Sequence, residues 1–560
     1  MLDSLLERWT RGGWRGPALA ALLALLAALP GALLMPTLDR DEARFAEASA
    51  QMIETHDVVT IRFQDQPRYK KPVGIHWIQA ALVSAFSPGQ VHHIWAYRLA
   101  SLLGAMGAAA ACAWGAQVFL GPRGGFLAGA VLGASLLLST EAMIAKTDAV
   151  LCAFVTLMMA ALGRIYASSK GEAVAGKGTK ALFWLGLALA ILVKGPIGPM
   201  VAILSIAALW IWDRRAPWLA HLGWTWGTAL VLLIVGPWAM AVTVATDGAF
   251  WSGAVMGDML SKLGSGQESH GAPPGLHTLL APLLLFPAGF LLPAALVLGW
   301  RRRAETGVRF ALCWLAPSLL VFELTPTKLP HYPLPLYGAL AMLIAAAAEA
   351  PPVDVRTGRI SRIVGAGLQA VAAVALAGAG LWAASRYGSE VSLVWAILAA
   401  VLIGGAGLAG LAPLMAPTRT LAALLAALGL GALGHDALTG GLAPSLKPLW
   451  VSQRAAEALA AAGIDPRNGV TPGPVAVAGY AEPSLVFLLG ARTELTDGPA
   501  AADAIADGRP AIVEAREQGA FLAALKAEGA RAALAGEVKG LNYSKGKPVD
   551  LYLYRSLERP

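Results

Sequence analysis

The sequence predicts a mainly α-helical, polytopic membrane protein with a small α/β domain outside the membrane, and three observations predict it. The 560 residues are 57% hydrophobic and only 14% charged, with a mean hydropathy of +0.60, which is outside the range of ordinary soluble domains. Apolar runs recur along the chain, and together they read as about thirteen segments able to cross roughly 30 Å of hydrocarbon. The connections between them alternate in character, one set simply basic and the other chemically mixed. The net charge of +8 belongs to this pattern. Basic residues of membrane proteins set topology and meet anionic lipid heads, so nucleic acid is not the partner they indicate.

Taken in order, the apolar cores lie near 17–35, 95–119, 124–139, 147–167, 180–193, 197–212, 224–245, 277–299, 307–322, 329–349, 363–384, 391–412 and 417–436. The first follows Arg8, Arg11 and Arg15 and is longer than the apolar core of a signal peptide, so it is expected to be a retained helix. Arg123, the Arg164–Lys180 group, Arg214 and Arg215, Arg301–Arg303, Arg356–Arg362 and Arg419 fall on one side, the cytoplasmic one by the positive-inside rule. Leu38–Trp77, Glu141–Asp148, Lys194–Pro196, Asp247–His277 and Glu323–His331 fall on the other. Residues 1–440 are thus the transmembrane domain, with outer loops near 36–92 and 246–276. Residues 441–560 form an outer α/β domain. Its expected strands are Pro474–Tyr480, Leu485–Leu489, Ala511–Glu514 and Val549–Tyr554, and its expected helices Ala501–Ala506 and Gln518–Glu528. Cys112, Cys152 and Cys313 lie in apolar runs without metal or disulfide spacing and read as buried thiols.

The mixed loops carry the chemistry. Asp41, Glu42, Arg44 and Glu47 open the first of them, and Arg68, Tyr69, Lys70, Lys71 and Pro72 close it. Asp148 stands at the outward mouth of a helix, where a carboxylate beside an apolar run is costly unless paired or used. Read blandly, the first segment is an interfacial helix with a solvated charged side, and Asp148 is a helix start capped by Thr147. Against that reading, cations recur in tight Pro- or Gly-bearing turns: Lys71-Pro72, Lys194-Gly195-Pro196 and Thr327-Lys328-Leu329-Pro330. Proline restricts the residue before it, so such turns hold donors in place. Fixed cations beside carboxylates suit a phosphate-linked substrate. His76, His92 and His93 match no standard metal spacing and read as packing.

Several motifs carry a family resemblance. They are Asp41-Glu42-Ala43-Arg44 with Glu47, Met52 and Asp57; Lys71-Pro72 with Trp77; and Glu141-Ala-Met-Ile-Ala-Lys146-Thr147-Asp148. Lys194-Gly195-Pro196, Lys328-Leu-Pro-His331-Tyr332-Pro-Leu-Pro335 and Gly540-Leu-Asn542-Tyr543-Ser544-Lys545-Gly546 complete the set. In this order they resemble the lipid A aminoarabinose transferases, which belong to the GT-C membrane glycosyltransferase class together with the protein O-mannosyltransferases. The resemblance implies inverting transfer of a sugar from a polyprenyl-phosphate donor to lipid A, lipopolysaccharide or another envelope glycan, at the outer (periplasmic) face of a bacterial inner membrane. It implies Asp41 and Asp148 as catalytic acids. It also implies Glu42, Arg44, Lys71, Lys194, His270, Lys328, His331 and Tyr332 as substrate contacts.

The family places a metal near this cavity, with a Glu just before the lysine matching Lys71. Here that position is Lys70, which cannot replace a carboxylate ligand. No resident cofactor is therefore assigned, and a divalent cation stays open, with His270 available to ligate it or to contact phosphate. His56 and Ile61 also depart from the family's usual Gly and Pro. Transfer to protein hydroxyls is the alternative within the fold. Transport or flipping of a lipid-linked sugar is the alternative outside it, and would favour ionisable residues near the bilayer midplane.

Overall fold

The computed structural model describes residues 2–260, 271–350, 355–466 and 473–557. His270 and Glu268 lie outside the described residues. Each expected apolar core coincides with helix, although several are short or broken. Among the described residues, seven helices are long and apolar enough to cross a membrane, from Ile94–Gly133 to Pro417–Ser445, and shorter apolar helices such as Ile197–Asp213 and Leu334–Glu349 accompany them. Exposed Ile203, Leu233, Val244, Val371, Val374 and Val401 give the array an apolar exterior. That surface is incompatible with water over such an area and matches the interior of a bilayer. The chain is a multi-pass membrane protein.

The expected span 95–119 and the start of the next, 124–139, follow each other within Ile94–Gly133 and are separated by a break at Gly121. Gly121, at φ +71° and ahead of Pro122, reverses the direction there. Gly125 and Gly129 then lie against the carbonyls of Ala113 and Ala109, so the two arms run back along each other. Small residues permit the close approach. A Cβ at Gly104 would sit 2.8 Å from the Ala149 backbone, so this helix and Asp148–Ser169 touch backbone to backbone.

The first outer loop folds as a helix (Asp41–Thr55), a two-residue hairpin of β1 (Arg62–Phe63) and β2 (Gln66–Pro67), and a second helix (Gly74–Phe86). The C-terminal unit is a five-stranded sheet. Its strands are β3 (Ala476–Ala478), β4 (Glu494–Thr496), β5 (Ala511–Glu514), β6 (Ala532–Asn542) and β7 (Lys547–Ser556), in the order β4-β3-β5-β7-β6. β3 pairs parallel with β4 and β5, and β7 runs antiparallel to β5 and β6. One expectation reverses: Leu485–Leu489 is not a strand but the body of a helix, Pro483–Leu489. Five consecutive apolar residues do not distinguish a buried strand from a buried helix, and Pro483 in the first helical turn decides for helix. That helix packs on Asp41–Thr55 through Ala43, Ala46, Ala50, Leu485, Phe487 and Leu488. The C-terminal domain is thereby seated on the first outer loop.

Candidate active site

Four connections converge at the end of the bundle that carries the C-terminal domain. Each is positioned at or beside a helix terminus. Asp41 and Asp148 are the first residues of their helices, where a carboxylate faces the positive end of the helix dipole. Thr147 precedes Asp148 but makes no side-chain cap; its hydroxyl lies 3.5 Å from Asp148 Oδ2 instead. Lys194 ends its helix, Gly195 stops it at φ +60°, and Pro196 leads into the next. His331 and Tyr332 lie on the turn before the short helix at Leu334.

Together these termini enclose a cavity of about 320 Å³. Its polar lining includes Asp41, Arg68, Lys70, Lys71, Lys146, Asp148, Lys194, His331 and Tyr332. Its apolar wall includes Phe250, Trp251, Val321 and Phe322. Asp148 is buried, and Lys194 Nζ donates to its Oδ1 at 2.5 Å. Lys146 Nζ lies 3.7 Å from Oδ2, and His331 Nε2 lies 3.8 Å from Oδ1. Lys146 also pairs with Glu141 at 2.9 Å, and His331 Nδ1 lies 3.6 Å from Glu141. Lys194 sits over the Tyr332 ring at 5.4 Å.

Burial works against charge on Lys146, but Glu141 and Asp148 outweigh it and hold the amine above its usual range. For His331 burial, helped by Lys146 and Lys194, wins over the same two carboxylates and lowers its pKa. Asp148 is therefore the centre of a compensated cluster. Asp41 is the exposed acid of the cavity.

The structure thus brings together Asp41, Lys71, Asp148, Lys194, His331 and Tyr332. It adds Glu141, Lys146, Arg68 and Lys70, whose motifs were visible in the sequence but whose partners were not. It does not bring in Glu42, Arg44 or Lys328. Glu42 is buried, and both its oxygens accept from Arg98, at 2.8 Å each, while also accepting from the amides of Ala145 and Leu38. It is placed as an architectural clasp. Arg44 lies about 60° around its helix from Asp41 and does not line the cavity. Lys328 is buried, with its amine donating to the carbonyls of Thr325 (2.5 Å) and Ala272 (3.0 Å), so it staples two loops. His76 is packed as expected, buried against Ser49 at 2.8 Å. Among the described residues no group of three His, Cys, Asp or Glu side chains is placed to hold a metal. The cavity's carboxylates are countered by lysines, and Lys70 is a cation where a ligand would be needed. The described donor set does not fit a divalent metal.

No family model matches the chain. Over its whole length the fold matches ArnT from Cupriavidus metallidurans bound to undecaprenyl phosphate, with TM-score 0.73, 19% identity, and 96% and 97% of the two chains covered. An oligosaccharyltransferase from Archaeoglobus fulgidus matches more distantly, with TM-score 0.51 and 10% identity over 99% of this chain and 75% of that one. The fold is therefore the one these two solved proteins share. In sequence the chain is similar to undecaprenyl phosphate-alpha-4-amino-4-deoxy-L-arabinose arabinosyl transferases. The Erwinia tasmaniensis protein is 30% identical over 316 residues, 54% of each chain. That of Edwardsiella ictaluri is 27% identical over 337 residues, 60% of this chain and 59% of its own. The chain spans little more than half the length of these relatives.

Proposed function

We propose that this protein is an inverting glycosyltransferase of the bacterial inner membrane. It moves a sugar from a polyprenyl-phosphate donor to lipid A or another envelope glycan on the periplasmic face. The observation that carries the reading is the cavity itself. An exposed acid, Asp41, faces a cluster of cations where apolar helices end, beside an apolar wall suited to the first isoprene units of a lipid donor. The names of the sequence relatives supply the donor chemistry, and the motif resemblance supplies the acceptor class.

In this reading an acceptor oxygen attacks the anomeric carbon while the bond from that carbon to the donor phosphate breaks. The phosphate leaves with the bonding electrons and gains negative charge. Lys71, with Arg68 and Lys70 beside it, stabilises that charge where it develops. Asp41 takes the proton of a hydroxyl acceptor, or orients an acceptor that is already ionised. Asp148 keeps Lys146, Lys194 and His331 in register and is a positioning residue, not the base. No step is routed through a metal.

Mass spectrometry of envelope lipids and glycans from cells with and without the protein tests the reading. A sugar missing from one acceptor class without the protein, and restored by the wild type but not by Asp41→Asn, is the expected result. Identical profiles would overturn it, and loss of sugar from proteins instead would move the acceptor to a polypeptide hydroxyl.

A further inference from the structure

The C-terminal domain touches the membrane part at a telling place. Its apolar seat on the helix Asp41–Thr55 already docks it. A second, polar set of contacts lies at Asp39 and Arg40, immediately ahead of Asp41. The Asp39 amide donates to the Tyr543 hydroxyl at 2.7 Å, and Arg40 Nη2 donates to the Ser544 carbonyl at 2.7 Å. The Ser484 hydroxyl donates to Asp39 Oδ1. Tyr543 and Ser544 form the turn between β6 and β7. That turn is braced from within its own domain: Asn542 donates to Glu482 at 2.7 Å, Lys545 pairs with Glu482 at 3.3 Å, and Trp450 meets the Tyr543 ring edge-on at 5.8 Å.

The backbone these contacts grip is strained. Arg40 has φ +63° and ψ −108°, a region that non-glycine residues rarely occupy, and its side chain provides no cap for the helix. Such a conformation persists only where the surroundings over-determine it. Here the surroundings belong to a domain about 500 residues away in sequence: the Asp39–Tyr543 bond spans 504 positions.

We infer that the β6–β7 turn of the C-terminal domain is part of the active site, with Tyr543 a positioning residue that fixes where the Asp41 carboxylate enters the cavity. The inference rests on the role proposed above for Asp41. A domain needed only for attachment would not require its polar contacts to fall on the two residues before the acid.

Tyr543→Phe tests this, because it keeps the ring and its contact with Trp450 and removes only the acceptor. The expected result is a drop in turnover of about tenfold with the donor KM within about twofold, since misplacement of a reacting group lowers the rate more than binding. Thermal unfolding should stay that of the parent. Ser484→Ala should shift turnover the same way.

A second readout needs no activity. The native thiols Cys112, Cys152 and Cys313 are buried, so a cysteine introduced by Asp41→Cys reports alone to a membrane-impermeant maleimide. Adding Tyr543→Phe should change its labelling rate by about threefold or more, the mark of a helix start no longer held in one place. An unchanged labelling rate overturns the inference, and so does a parallel fall in unfolding temperature, kcat and donor affinity, which would mark a merely structural contact. If the wild-type protein transfers no sugar from a polyprenyl-phosphate donor, the proposed function fails, while the labelling still decides the latch.

Discussion

At the residue scale the molecule separates charges that look alike in the sequence. Asp41 and Glu42 are neighbours, yet one is exposed in the cavity and the other is locked to Arg98. Asp41→Asn is therefore expected to reduce sugar transfer by at least about a hundredfold, the size of a lost general base or its equivalent, with no change in unfolding temperature in detergent. Glu47 is a different case. It is fully buried, and neither carboxylate oxygen has a hydrogen-bond partner among the described residues. Burial, reinforced by Glu54, pushes its pKa up to about 8. The folded protein thus holds a proton that the unfolded chain releases above its ordinary value of 4.5. The sign follows from that difference: the group's contribution to stability is fully present below pH 4.5 and is lost as pH rises towards 8. Glu47→Gln should remove this dependence. Compared at pH 5.5 and 8.5, the wild type should unfold at a lower temperature in the alkaline buffer, and the variant should close most of that gap.

At the element scale, helix ends deliver the site and side-chain clasps hold those ends together. The Glu42–Arg98 pair ties Asp41–Thr55 to Ile94–Gly133, and Arg98 also donates to the carbonyls of Met35 (2.6 Å) and Pro36 (2.9 Å). Removing one partner leaves a buried charge unpaired, so Glu42→Ala should cost about 3–5 kcal/mol. Thermal or denaturant unfolding in detergent checks this; a loss of donor binding with unchanged stability would return Glu42 to the substrate. Lys328→Met should likewise lower stability through the two carbonyls it leaves, with little change in donor KM. The same scale explains the misread strand at Leu485–Leu489. The neighbouring β4 and β6 carry mostly exposed or half-buried residues without an apolar alternation, and pairing with β3 and β7 gives them their form.

At the scale of the whole molecule, the C-terminal domain and the first outer loop are joined by several sets of contacts. Beyond the apolar seat and the Tyr543 turn, Gln64 donates to the carbonyl of Thr493 at 2.6 Å, and His92 pairs with Glu54 at 3.3 Å while meeting Phe487 edge-on. Cysteines introduced singly in place of Asp41, Lys71 and Tyr543 should all be labelled by an impermeant reagent added from the same side of oriented membrane vesicles; labelling from opposite sides would break the topology. The sequence alone determined the parts that depend on composition and local order. These are the helical membrane class, most helix positions, and the termini at Asp41, Asp148 and Lys194, because apolar length and Gly/Pro punctuation are local properties. Only the tertiary structure decided which charges face one another. Glu42 and Lys328 are withdrawn into the scaffold, and Lys146 and Glu141 join the site, because each needs a partner brought from a distant element. Arg98 lies 56 residues from Glu42, and His331 lies 185 from Lys146. Periodicity cannot choose between solvent, scaffold and cavity for a charged side chain; the packing of helices around it does.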